Sequence, residues 1–404
     1  MRESQHGRRV VVTGLGVVAP CGTGLGNYWT GLTKHVEPAV VRRVLDLEPE
    51  LYGVSRVQGR RMDRFTLLGL AAAAGALLDA GLIDRADAAG PLDGVDGERC
   101  ATVFGTGIGG VMTWEPEARK RRDLGPRAVS PRMVPMVMPN AAPAAVALRW
   151  QLFGPSEAVA TACASSTHAI AAAARAVATG RADLAVTGGA EACLADTPLA
   201  AFANMRALSA TGVSRPFDVA RDGFCASEGA GVLVIEEARH ARARGAHVYA
   251  EIVGAGSSTD AYDMTAPAPG GVGAARCMRI ALQDAGLCPQ DVTHINAHGT
   301  STVLNDLAEA QAIAAVFGRL RPAVTSVKGV TGHALGASGA LEAVSLVLAY
   351  ANRALPPTAG TVEVDPLIDL DVVLAPRLWE PAAAMSNSFA FGGHNATLVF
   401  APAP

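Results

Sequence analysis

Four stretches of this sequence set chemically competent side chains among small and apolar ones. Thr161-Ala-Cys163-Ala-Ser ends a short apolar run and opens an alanine-rich segment that continues to Arg175. His294-Ile-Asn-Ala-His298-Gly-Thr300-Ser-Thr302 reads as a strand ending in a histidine, a glycine and hydroxyls. Lys328-Gly-Val-Thr-Gly-His333 is a glycine loop entering a helix, and Ser386-Asn-Ser-Phe-Ala-Phe391-Gly-Gly-His-Asn395 is a glycine turn between two apolar strands. A cysteine at a strand-to-helix junction lies near unpaired backbone N–H groups and the positive end of the helix dipole, which favours the nucleophilic thiolate. A free cysteine is more often a small buried apolar residue, and a lone histidine is more often structural. Two histidines, a lysine and a cysteine, all at element ends beside glycines, fit one assembled site better. His298 and His333 lack the local spacing of zinc ligands, so no metal is expected.

The elements that must hold these residues alternate along the chain. Residues 9–20 form a buried strand leaving through glycines, and residues 63–80 a helix stopped by Gly81. A strand at 100–104 runs into Gly105-Thr-Gly107-Ile108-Gly109-Gly110, a formal match to a dinucleotide fingerprint. The following Val-Met-Thr-Trp-Glu-Pro116 is no clean amphipathic helix, and the match lies far from an N-terminal βα start. The glycines are better read as permitting close backbone approach. The charged run Arg119–Arg122 is a solvated face. After the Cys163 helix come a strand at 183–190, a helix at 200–208, a strand at 231–236, a helix at 237–244 and a strand at 248–253. Residues 34–59 show weak periodicity and read as an exposed excursion.

The chain divides into a first half, 1–253, carrying the cysteine, and a second half, 254–404, carrying the two histidines. The second half echoes the first at an offset of 165 (Phe224 to Phe389): Val159 falls on Val324, His168 on His333 and Cys163 on Lys328. A duplicated α/β core accounts for strands alternating with helices in both halves.

Bulk properties narrow the class. At 404 residues the chain can bury a large core, and with half its residues apolar and 18% charged it is globular. A net charge of −3 with no large basic block gives no reason to expect a nucleic-acid partner. Seven scattered cysteines without a CxxC pair argue against a disulfide framework and for a reducing cytosol. The N-terminal Met-Arg-Glu-Ser-Gln-His-Gly-Arg-Arg has no apolar signal core. The apolar run around 67–80 is broken by Asp79 and is too short to span a bilayer. A cytoplasmic protein is expected.

On its four motifs the chain resembles the β-ketoacyl-acyl carrier protein synthases of the KAS I/II-like kind, condensing enzymes of the thiolase superfamily. The similarity runs from about Arg8 to Phe400. The Cys-His-His set separates it from the Cys-His-Cys branch of thiolases and the Cys-His-Asn branch of chalcone synthases. The resemblance implies an α/β, thiolase-like five-layered αβαβα duplicated core. It implies that Cys163 takes an acyl group from a phosphopantetheine thioester, after which a malonyl thioester loses carbon dioxide and attacks the acyl-cysteine. His298 and His333 would stabilise the enolate, and the backbone N–H groups of Cys163 and Phe391 would receive the oxyanion. Lys328 would pair with Glu342 and hold the geometry. Thr300 and Thr302 match positions that bind the pantetheine arm, and Ile108 and Phe391 match the gate of the acyl pocket. Arg60, Arg61, Arg64, Arg127 and Arg206 match positions that dock an acidic carrier protein.

No cofactor is implied, because the substrates ride on the phosphopantetheine arm of acyl carrier protein. The implied assembly is a homodimer or a heterodimer with a chain-length-factor-like sister subunit, with no nucleic acid and no membrane. Asn305-Asp306 stands where fatty-acid synthases usually carry Gly-Asp, the proline usual after Thr302 is missing, and His394 replaces a common threonine. These departures point to type II polyketide or polyene assembly, with housekeeping fatty-acid elongation as the alternative. Of the other classes, a chain-length factor typically lacks the cysteine, and a non-condensing acyltransferase or thioesterase would not need two enolate donors. A nicotinamide oxidoreductase has only the poorly placed glycine motif for it.

Overall fold

The computed structural model describes residues 7–34 and 37–404. Most of the N-terminal stretch read for a signal core, and residues 35–36 of the 34–59 segment, lie outside the described residues. The first half supplies β1 (Val10–Ala19), β2 (Cys100–Gly105), β3 (Ser156–Val159), β4 (Leu184–Glu191) and β5 (Gly229–Glu237). They lie side by side in the order β1-β5-β4-β2-β3. The second half supplies β6 (Ala250–Thr259), β7 (Val292–Asn296), β8 (Ala323–Thr325), β9 (Ala383–Ala390) and β10 (His394–Pro402). Their order, β6-β10-β9-β7-β8, follows the same path, to which the second half adds a two-residue edge strand, Asp371–Val372, beside β8. Directions match as well: β2 is parallel to β3 and β4, as β7 is to β8 and β9, and the closing pairs β4–β5 and β9–β10 are antiparallel. Val10, Val11 and Val12 of β1 pair with Ile252, Glu251 and Ala250 of β6 and join the two sheets.

The longer helices are α1 (Arg64–Asp79), α2 (Val111–Leu124), α3 (Ala141–Trp150), α4 (Ser165–Ala178), α5 (Asp196–Asn204), α6 (Val272–Ala285), α7 (Val303–Phe317) and α8 (Ser338–Asn352). Helix α1 covers the outer face of β1, β5 and β4, and α6 covers β6 and β10 with α7 beside it. Between the sheets, α4 and α8 pack on each other and each touches both. The result is the expected five layers. The central position explains the sequences of the inner helices. Alanine-rich α4 lets neighbouring backbones approach closely, and α8 is buried at every position from Ser338 to Tyr350, as a helix apolar all round must be. The stretch Leu335–Asn352 is long and apolar enough to cross a membrane, but it is spent inside the molecule.

The observed duplication corrects the sequence echo. Strands β5 and β10 do lie 165 apart (Gly229 to His394). The inner helices begin 173 apart (Ser165 to Ser338), because the second half carries an extra short helix, Lys328–Thr331. Each inner helix follows a one-turn 3-10 segment entered by a non-glycine residue in the left-handed region, Ala162 at φ 50° and Leu335 at φ 42°. The counterpart of Cys163 is therefore Gly336, not Lys328, and His168 is not the counterpart of His333.

Three further expectations need correction. Strand β6 crosses the expected boundary at 253/254 and pairs with β10 along its length, so it opens the second half. A helix does follow the Gly105–Gly110 run: α2 lies on the surface with Glu117 as its buried residue, and its outward charges and Pro116 hide it from a periodicity test. The 34–59 segment is not simply exposed, since Val41–Arg42 pairs with Ala226–Ser227 and buries Arg42, Val44 and Val54.

Candidate active site

Cys163 is the middle residue of the turn Ala162–Ala164 and is almost fully buried, packed with Cys193 and Leu335. His333 Nε2 lies 3.1 Å from its sulfur, and the Phe391 N–H donates to the same atom. Burial pushes the thiol up to about 12, against the downward pull of the Lys328 charge and the Phe391 N–H. The expected thiolate is thus not the resting form, because desolvation outweighs the helix start. The proton must leave as the sulfur attacks.

The other site residues come from the second half. The His298 and His333 rings stand nearly perpendicular with centroids 5.4 Å apart. His298 follows the end of β7, and its own N–H and that of Gly299 donate to the two oxygens of Glu309 on α7, each at 2.8 Å. Burial pushes Glu309 up to about 7. Lys328 donates to His298 Nδ1 at 3.3 Å, to the His298 carbonyl, and to Glu342 on α8. His333 Nδ1 meets Ser338 Oγ at 2.9 Å, and its backbone N–H donates to the Cys225 carbonyl. Burial and the Lys328 charge hold both imidazoles well below the usual histidine range. They are neutral groups that donate N–H bonds without becoming acids.

A cavity of about 310 Å³ opens beside these groups, lined by Cys163, His298, His333, Thr300, Thr302 and Phe391 among others. Thr300 and Thr302 are hydrogen-bonded to each other at 2.8 Å on its wall and suit an amide-bearing arm. Ligand atoms of Cys163, His298 and His333 lie within 4.8 Å of one another, a set a soft metal could use. The Lys328 ammonium on His298 and the protonated thiol oppose a second cation there.

Cys163, His298, His333, Lys328, Glu342, Thr300, Thr302 and Phe391 are brought together; Ile108 and Arg64 are not, and of the other expected arginines Arg206 alone lines the cavity. Arg60, Arg61, Arg127 and Arg206 are exposed, Arg206 on the cavity rim in the left-handed region at φ 57°. Arg64 instead turns inward, donating twice to buried Glu228 at 2.6 and 2.7 Å and once to the Val44 carbonyl. Ile108 lies outside the wall of this cavity with 44% of its surface exposed. Sequence reasoning missed Glu309, whose signal was a second carboxylate, three residues after Asp306, on a largely apolar helix, and Ser338, which resembles any helix start. It also missed Arg42, whose buried guanidinium donates to the Gly329 and Val330 carbonyls, each at 2.8 Å.

The β-ketoacyl synthase N-terminal domain matches residues 33–241, and the β-ketoacyl synthase C-terminal domain matches residues 249–361. A 3-oxoacyl-[acyl-carrier-protein] synthase 2 of Staphylococcus aureus (strain COL) is 42% identical over 97% of this chain and 98% of its own length. Among solved structures, the ishigamide ketosynthase/chain length factor superposes with a TM-score of 0.89 at 33% identity, covering 98% of this chain and 100% of that one. A type II polyketide ketosynthase, AntDE in complex with its acyl-carrier protein AntF, gives 0.88 at 30% identity over the same shares. With these likenesses spanning both halves and the cysteine-histidine-histidine cluster between them, the chain belongs to the β-ketoacyl synthase family and is a condensing acyltransferase that makes 3-oxoacyl-acyl carrier protein.

Proposed function

We propose that Cys163 is the nucleophile and that His298 and His333 are the enolate donors. The carrying observation is the 3.1 Å contact between His333 Nε2 and Cys163 Sγ, with His298 facing the same point. In the first stage the sulfur attacks the acyl thioester, the pantetheine thiolate leaves, and the thiol proton goes with it. In the second, the C–CO2 bond of the malonyl thioester breaks and its electrons form an enolate held by the two imidazole N–H groups. The enolate carbon attacks the acyl-cysteine carbonyl, and the Cys163 thiolate leaves and takes up one proton from solvent, the net proton consumed by the decarboxylation. The oxyanion of each acyl step is received by the N–H groups of Cys163 and Phe391, each worth about 3 kcal/mol in sites of this kind. Lys328 and Glu342 hold His298, and Thr300 and Thr302 bind the arm.

The carrier protein docks at the rim through Arg206, and the exposed Arg60, Arg61 and Arg127 are further candidates for its acidic surface. Arg64 serves the fold. The chain pairs with a second copy of itself or a sister subunit: β3 is an exposed sheet edge, with Leu148 and Phe153 exposed nearby in sequence. A cytoplasmic setting agrees with the seven free cysteines.

For the pathway we favour type II polyketide or polyene assembly, which the Asn305-Asp306 pair and the likeness to two polyketide-type structures support. Fatty-acid elongation is the second reading, favoured by the 42% identity to a synthase 2. Intact-mass measurement on the purified chain given acyl- and malonyl-carrier protein tests the chemistry. An acyl adduct on Cys163 followed by a 3-ketoacyl carrier product is expected, and product without any adduct would overturn the nucleophile. Running saturated against polyunsaturated primers in that assay separates the pathways, a preference for saturated chains favouring the second reading.

A further inference from the structure

Glu191, the last residue of β4, is fully buried and has backbone and hydroxyl donors, rather than a basic side chain, as its partners. Its Oε1 accepts from Thr106 Oγ1 at 3.0 Å; its Oε2 accepts from the Gly107 N–H and, at 3.1 Å, from the Gly336 N–H. The Ile108 N–H donates to it as well. These donors come from two walls: the loop that follows β2, and the turn Leu335–Ala337 that is the second-half counterpart of the Cys163 turn. The walls touch, since a Cβ on Gly336 would lie 2.2 Å from the Gly107 nitrogen and 2.8 Å from Glu191 Oε2. Leu335, held at φ 42°, packs directly with Cys163.

The arrangement has a counterpart across the duplication. Strands β2 and β7 occupy the same place in the two halves, and the loop after each is pinned by a buried carboxylate through consecutive backbone N–H groups. Glu309 pins His298 and Gly299; Glu191 pins Gly107 and Ile108. The two carboxylates come from non-equivalent elements, a strand end and a helix, so the shared device is not a copy left by duplication. Its recurrence points to a requirement of the site. Glu309 serves the loop that carries His298, whereas Glu191 serves the walls around Cys163.

We infer that Glu191 is a positioning residue for acyl loading, fixing the Thr106–Gly109 loop, which lies against the Ala162 carbonyl, and the Leu335–Ala337 turn, which packs on Cys163. The inference rests on Cys163 being the nucleophile. Glu191→Gln leaves the four donors of the two walls with a single acceptor oxygen and sets an NH2 donor among them, and a wall shift of the order of an ångström costs up to about a hundredfold in rate. Malonyl decarboxylation also uses His333, two residues before that turn, but His333 is held separately through Ser338 and the Cys225 carbonyl and His298 through Glu309, so it depends much less on Glu191.

The experiment compares the full chain with Glu191→Gln in two separate assays: transfer from acyl-carrier protein to Cys163, followed by intact mass, and carbon dioxide release from malonyl-carrier protein. The expected result is an acylation kcat lower by about ten- to a hundredfold with KM little changed and decarboxylation within about twofold of the parent. Equal loss of both half-reactions would reduce Glu191 to a general structural role, and unchanged acylation would remove it from the site. Should Glu191→Gln fail to fold, Thr106→Val deletes one donor while leaving the carboxylate; the same one-sided loss, smaller in size, is expected, and a symmetric loss overturns the inference. Absence of any acyl adduct on Cys163 in the parent chain would instead sink the nucleophile assignment on which the inference stands.

Discussion

Lys328 Nζ lies 3.3 Å from His298 Nδ1, and its other two partners are the His298 carbonyl and Glu342. An ammonium has three protons and no acceptor, and here each proton has one partner. Because Lys328 can only donate, Nδ1 must be the accepting nitrogen of a neutral ring, which places the ring proton on Nε2. The lysine thus selects the tautomer that can donate to an enolate. Lys328→Ala removes this selection and leaves Glu342 buried without its cation. Decarboxylation should fall on the order of a hundredfold, with a stability loss of about 3–5 kcal/mol in a denaturant melt. Unchanged carbon dioxide release would mean that the tautomer is set by something else.

Cys163 carries the opposite electrostatic signature to a thiolate nucleophile. Burial raises its thiol to about 12, so at neutral pH the reactive anion is a small fraction that grows with each unit of pH. Alkylation by a small haloacetamide should therefore rise about tenfold per unit from pH 7 through pH 9 without levelling off. A plateau near pH 7 would show a resting thiolate, and with it a helix-start effect larger than the desolvation.

The parts legible in the sequence were those with unbroken local pattern. Strands β5 and β10, of equal length in both halves, gave a single offset that is correct for them. The same offset fails eight residues short at the inner helices, because a gapless comparison cannot register the inserted Lys328–Thr331 helix. The histidines were recognisable from their glycine neighbours and the cysteine from its place between an apolar run and an alanine-rich helix; their clamps were not. Glu309 and Glu191 act through backbone N–H groups remote in sequence, which leave no motif. Arg64 shows the converse, since only the fold reveals that Glu228 consumes its charge.

Arg42 was hidden for a similar reason: its strand is two residues long and has no period. Arg42 is 6% exposed and its guanidinium donates to two carbonyls in the Lys328–Thr331 segment, while Ala226 of the neighbouring pair bridges to His333. Arg42 thereby ties the lysine turn to the excursion. Arg42→Ala orphans both carbonyls, for which about 2–3 kcal/mol of stability and about a tenfold loss of decarboxylation are expected. Arg42→Lys, which can keep one bond, should lie between. Activity equal to the parent in the alanine variant would show that the turn holds itself.

Arg206 and Arg64 separate docking from folding. Arg206 is exposed on the cavity rim, and no ion pair fixes its side chain among the described residues. Arg64 is tied bidentately to a carboxylate that is fully buried. Charge reversal at the rim acts on encounter with an acidic partner and weakens with salt. Arg206→Glu should raise KM for carrier-bound substrate about tenfold at low salt, less at high salt, and leave turnover of a small thioester mimic unchanged. Arg64→Glu places two carboxylates together in the interior, so it should lower the melting temperature sharply and impair both substrates alike. If Arg206→Glu impaired both substrates equally, its left-handed backbone at the rim, rather than its charge, would be its contribution.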